Sequence, residues 1–189
     1  MQAYIPELID KIEAVSLAAK ENFQSLDASQ LNWKTSPEDW SVAQCLHHLI
    51  TTNELYFPIF TAVQNDKVPQ NIFSRMRLFS GFFGRMLVKQ LGPEVIRKAK
   101  SPTTFQPSQS ELPADILDQF LAHQHKLVQQ YQALPSQDFS KLIIISPAAS
   151  FVTYSLKDAL HILAGHEERH LAQAKGVMQM PQFPINLQA

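Results

Sequence analysis

The sequence predicts an all-α protein, a four-helix bundle with a long connection between its second and third helices. Three observations carry that prediction. Apolar residues recur at i, i+3 and i+4 in four long segments. No two strand-like runs offer themselves as partners. Only 5 glycines occur in 189 residues, too few for a glycine-punctuated β architecture or a phosphate-cradling loop. With 45% hydrophobic residues the chain can bury one sizeable core, so residues 1–189 read as a single domain. There is no internal repeat of solenoid type.

The first helix is expected from about Tyr4 to Leu26, with Ile5, Leu8, Ile9, Ile12, Val15 and Ala19 on one stripe and Phe23 closing it. Ser25, Asp27 and Ser29 end it, and Leu31 to Trp40, containing Pro37, reads as a connecting loop. Ser41 is a good N-cap for the second helix, and Gln44 completes a Ser-x-x-Gln capping box. Its stripe is Val42, Cys45, Leu46, Leu49, Asn53, Tyr56, Phe60 and Val63, ended or kinked at Pro58.

Between Pro69 and Pro113 the pattern is less regular. Phe73 to Gln90 reads as a further amphipathic helix and Glu94 to Pro113 as mostly extended loop. Arg75, Arg77, Arg85, Lys89, Arg97, Lys98 and Lys100 make this excursion locally basic, as a solvated face would be, with an anionic substrate or partner as the alternative. A third long helix is expected from about Ala114 to Leu134, with Ile116, Phe120, Leu127, Tyr131 and Leu134 inward and Pro135 as its stop. Leu142 to Ile145 is β-branched but isolated, and is read as a buried connection or a short strand-like piece without enough partners for a sheet. Ser155 caps the last helix, which carries Leu156, Ala159, Leu163, Ala174 and Val177 inward; Pro181 and Pro184 mark a loose tail.

Charge narrows the function. Sixteen basic and 17 acidic residues give a net charge of -1, so no overall field draws the chain to nucleic acid or to an anionic membrane. No apolar segment approaches the roughly 20 uninterrupted residues that cross a bilayer. The lone Cys45 cannot form an internal disulfide, and the N-terminus lacks a basic start and apolar run, so a cytoplasmic location is expected.

The 7 histidines are the most informative feature. His166 and His170, in His166-Glu-Glu-Arg-His170, stand at i and i+4, on the same inward stripe as Ala159, Leu163 and Ala174. Two imidazoles facing a bundle interior leave ring nitrogens unsatisfied, at about 1–3 kcal/mol each, unless something takes them up. One metal ion does so for both. In the second helix His48 lies about 60° from the direction of Cys45 and His47 about 160°, so only His48 points inward. His123 falls on the inward side of the third helix and His125 does not; His123 is left as a fourth ligand, a supporting donor or a core histidine. His166-Glu167-x-x-His170 also matches the zinc-protease motif, with Glu167 as base. The residues after His170 contain no Asp, Glu or His, so the usual downstream ligand is missing and the third must come from an earlier helix.

Trp40-Ser-Val-Ala-Gln-Cys-Leu-His-His48-Leu and His161-x-x-x-x-His166-Glu-Glu-Arg-His170-Leu-Ala-Gln173-Ala together resemble the DinB-like superfamily of metal-binding four-helix bundles. Helix order and the long second-to-third connection agree over nearly the whole chain. The resemblance places the metal ligands on His48, His166 and His170, and implies a divalent ion, zinc or nickel. Its characterised members include thiol S-transferases that use bacillithiol, glutathione or mycothiol, and a mycothiol-dependent maleylpyruvate isomerase. Nothing here identifies a thiol cofactor.

The expected function is therefore metal-dependent activation of water or a thiol, for transfer or hydrolysis of a small-molecule substrate. A low-molecular-weight thiol is one candidate partner, and a homodimer is compatible with the sequence. Three neutral imidazoles leave the full double charge of the ion to act on what it binds. Gln173 is a candidate to orient a ligand, and Trp40 and Tyr56 to wall the pocket. No catalytic residue is assigned. The alternative is a non-catalytic metal-binding or stress-related module, which would close its site with four protein ligands.

Overall fold

The computed structural model describes residues 2–75, 86–87 and 111–184. Helix α1 spans Tyr4–Phe23 and buries every apolar position expected of its stripe, from Ile5 to Phe23. It stops before Leu26, and the next segment departs from expectation. Asp27 caps a short helix α2, Ala28–Asn32, through a complete capping box with Gln30, so part of the assumed loop is helical.

Helix α3, Val42–Glu54, begins at Ser41 with the capping box read from the sequence: Ser41 Oγ accepts from the Gln44 amide and Gln44 Oε1 from the Ser41 amide, both at 3.1 Å. Pro58 has the expected effect. The chain breaks after Glu54 and restarts as α4, Phe57–Gln64, with the proline in the first turn, where its missing N–H has no helical partner to lose. A single turn, α5, follows at Ile72–Arg75. Most of the expected helix to Gln90 and of the loop from Glu94 to Pro113 lies outside the described residues.

Helices α6, Ile116–Gln132, and α7, Leu156–Met178, complete the bundle. Between them the isolated apolar run does find a partner: β1, Ile143–Ile145, pairs antiparallel with β2, Thr153–Ser155, with Ile144 opposite Tyr154. Thr153 and Tyr154 were invisible as a strand because the pair needs only three residues a side and packs on helices. The tail is not loose as far as Pro184. Phe183 sets its ring edge-on to Trp33 at 5.5 Å, and Gln30 Nε2 donates to the Pro184 carbonyl at 2.8 Å.

Helix α1 packs on α6 and α7, and α3 packs on the same two, so α1 and α3 lie on one diagonal of a four-helix square. The core is divided along the bundle. One apolar cluster gathers Ile5 to Ile12, Tyr56, Phe60, Leu127, Tyr131, Tyr154 and Leu156 to Ala164. The other gathers Val15 to Phe23, Val42 to Leu49, Ile116 to Phe120, Ala174 and Val177. At the level between them sit buried polar side chains from three helices: His48, Thr52 and Asn53 of α3, His123 and Gln124 of α6, and His166, Glu167 and His170 of α7. A polar layer thus crosses the middle of the bundle. Among the described residues no helix is long and apolar enough to cross a membrane.

Candidate metal centre

The polar layer is where the three expected histidines meet. Helical spacing stacks His166 and His170 on one face of α7, with ring centroids 4.4 Å apart, and the packing of α3 against α7 brings His48 to them at 4.9 and 4.5 Å. One nitrogen from each ring lies within 4.8 Å of the other two. All three rings are buried, at 1, 8 and 6% exposure for His48, His166 and His170. His48 Nε2 and His166 Nε2 are 3.2 Å apart. Two nitrogens each about 2.0–2.1 Å from a tetrahedral ion stand about 3.3 Å apart, so this spacing suits a shared ligand ion.

Protonation state agrees with that use. Burial, then the neighbouring His170, His48 and Arg169, holds His166 well below the usual imidazole range. Burial, His48 and Arg169 take His170 down to about 3, against a small opposing effect from its hydrogen bond with Gln173. His166 and His170 are therefore neutral at physiological pH and keep lone pairs to offer. The Nδ1 atoms of His166 and His170 are buried without hydrogen-bond partners. Thr52 Oγ1, Asn53 Oδ1 and Gln124 Oε1 are also buried without partners, so the orphaned nitrogens belong to a wider under-satisfied polar layer, and the fit to an ion rests on the convergence of the three rings.

Trp40 covers the cluster. It immediately precedes the Ser41 cap and stacks on the His170 ring at 5.5 Å and 16°, while meeting His48 edge-on at 4.8 Å. It stays half-buried, and Gln173, one turn beyond His170, is exposed. The cluster therefore lies just beneath the surface on this side.

Other expectations resolve differently. Tyr56 does not wall the cluster; its hydroxyl meets that of Tyr154 at 2.6 Å inside the first apolar cluster. His123 does not join the three rings. It stacks on Phe57 at 5.3 Å, and burial followed by Lys126 lowers it to about 4. His47 is half-buried and His125 exposed, both outside the cluster.

Glu167 is likewise outside the triad, but it is not on a solvent face. It is fully buried, accepting from Asn53 Nδ2 at 2.6 Å and Gln124 Nε2 at 2.9 Å. Burial raises its carboxyl to about 7, opposed by those two hydrogen bonds. This three-helix contact was missed in the sequence. The only signal was Asn53 standing on an apolar stripe.

Residues 17–174 match the family model described as the DinB superfamily. No curated protein and no solved structure matches the chain.

Proposed function

The chain belongs to the DinB superfamily, and on that premise we propose that it is a metal-dependent enzyme acting on a small molecule. His48, His166 and His170 would hold the ion. The observation that carries the reading is the convergence of three buried imidazoles from two helices within 4.8 Å. A divalent ion supplies Lewis acidity there, lowering the pKa of water or a thiol that reaches it. Zinc and nickel both suit three imidazoles.

The remaining roles follow from position. The three rings would supply nitrogen lone pairs to the ion. Trp40, stacked on His170, fixes that ring's plane and keeps bulk water from one side of it. Gln173 reaches His170 from the exposed side of α7 and is the amide placed to orient an incoming group. Three protein ligands, with no fourth His, Cys, Asp or Glu joining them among the described residues, correspond to an open catalytic site. A zinc protease is disfavoured, because Glu167 turns away from the triad and has both carboxylate oxygens engaged.

The deep burial of the three rings favours a second reading, a closed module that uses metal for stability alone. Elemental analysis of untagged protein tests the shared premise. About one ion per chain is expected in the wild type, with loss in both His48→Ala and His170→Ala; full occupancy in the two variants would remove the site. Cobalt substitution then separates the readings. An open site changes its visible spectrum when a low-molecular-weight thiol is added, and a closed one does not.

A further inference from the structure

We infer that Glu167, clamped by Asn53 and Gln124, is a positioning residue that presets the rotation of α7 so that its two histidines meet His48. This inference rests on the three-histidine metal site proposed above.

A buried carboxylate inside an apolar bundle is expensive to desolvate, and an aliphatic side chain would pack there without that penalty. Here the carboxylate is fully buried, and each oxygen receives one amide N–H, from α3 on one side and α6 on the other. Asn53 and Gln124 are themselves almost wholly buried, at 0 and 1% exposure. Both turn their N–H₂ ends to Glu167 and leave Asn53 Oδ1 and Gln124 Oε1 without partners. Among the described residues the two side-chain amides make no other hydrogen bond, so the carboxylate orients both.

Position on the helices supplies the rest. Glu167 directly follows His166, so its side chain leaves α7 about 100° round from the histidine stripe. Asn53 lies five residues beyond His48 on α3. The pair of helices that must converge for metal binding is therefore joined by a second polar contact, at a different angle, within about a turn and a half of the first. One contact leaves α7 free to roll about its axis. Two contacts about 100° apart on neighbouring residues fix both roll and height. The required precision is high, because a roll of about 10° moves a ring nitrogen about 7 Å from the axis by about 1 Å, and coordination distances tolerate about 0.2 Å.

The test uses the full-length protein and zinc, with affinity read by competition against a chromophoric chelator and folding read separately by urea denaturation without metal. Glu167→Ala is expected to weaken zinc binding about 10- to 100-fold, the range for removing a group that supports a metal ligand. Glu167→Gln should stay within about 3-fold of wild type, because its new N–H₂ can donate to one of the unpartnered carbonyls while its oxygen keeps the other amide. Gln124→Ala, which removes a single arm, should weaken zinc about 3- to 10-fold and keeps the test decisive if Glu167→Ala does not fold. Phe60→Leu, in the first apolar cluster, is the control that lowers stability and leaves affinity unchanged. Zinc affinity within about 2-fold of wild type in Glu167→Ala, or in Gln124→Ala if that variant alone folds, would overturn the inference. Failure of the underlying site looks different, since the wild type itself would then bind no zinc.

Discussion

Replacing His170 by Leu should push stability in opposite directions with and without metal. In the metal-free protein the His170 ring is 6% exposed, its Nδ1 atom has no partner, and burial disfavours its charged form down to about pH 3. A buried polar atom left unsatisfied costs about 1–3 kcal/mol, and leucine of similar volume against the Trp40 face removes that penalty. For a chain of this length each kcal/mol moves Tm by about 2–4 °C, so the metal-free variant should melt about 2–12 °C higher than the metal-free wild type. Zinc at one hundred times its Kd should stabilise the wild type by about 2.7 kcal/mol, or about 5–11 °C. In the variant two imidazoles remain, and the zinc shift should fall below about 2 °C. Scanning calorimetry of chelator-treated protein, repeated with added zinc, reads both effects. A variant less stable than the metal-free wild type, or one that keeps the full zinc shift, would refute the claim that these rings are tuned for a ligand and not for packing.

Acid should weaken the metal-free fold partly through His123. Its folded pKa of about 4 lies below the unfolded 6.5, so the unfolded state takes up the proton first and stability is lost as pH falls from 6.5 towards 4, by up to about 3 kcal/mol. Urea titrations of wild type and His123→Leu at about pH 7 and about pH 4.5 should show the smaller pH dependence in the variant. Tyr154→Phe strands the buried Tyr56 hydroxyl and should cost about 1–3 kcal/mol, whereas the double change with Tyr56→Phe should recover part of it in a thermodynamic cycle. Ser155→Ala removes the α7 cap, whose hydroxyl accepts from the Asp158 amide at 3.0 Å. It should cost about 1 kcal/mol in urea denaturation and leave zinc affinity unchanged, since His166 lies three turns away.

The long helices were legible because each signals its own geometry locally. Ser41 with Gln44, Ser155 with Asp158 and the stop at Pro135 mark boundaries through backbone donors and acceptors within four residues. The short pieces were not. Helix α2 has five residues and no room for an apolar period, and β1 with β2 exists only because helices cover it. Phe183 reads as tail, and becomes core only when Trp33 is brought beside it.

The same division runs through the site. Sequence alone determined that His48, His166 and His170 face inward, because helical phase is a local property fixed by about 100° per residue. It equally determined that His47 and His125 do not. Which inward-facing groups share a level along the bundle is a matter of how α3, α6 and α7 slide against one another, and no local signal encodes that offset. Only the tertiary structure decided that His48 joins the α7 pair while His123 stacks on Phe57, and that Glu167 finds Asn53 and Gln124 instead of solvent. The physical reason is that burial is decided by one helix's own periodicity, whereas coordination and buried hydrogen bonding need atoms from several helices placed to within fractions of an ångström.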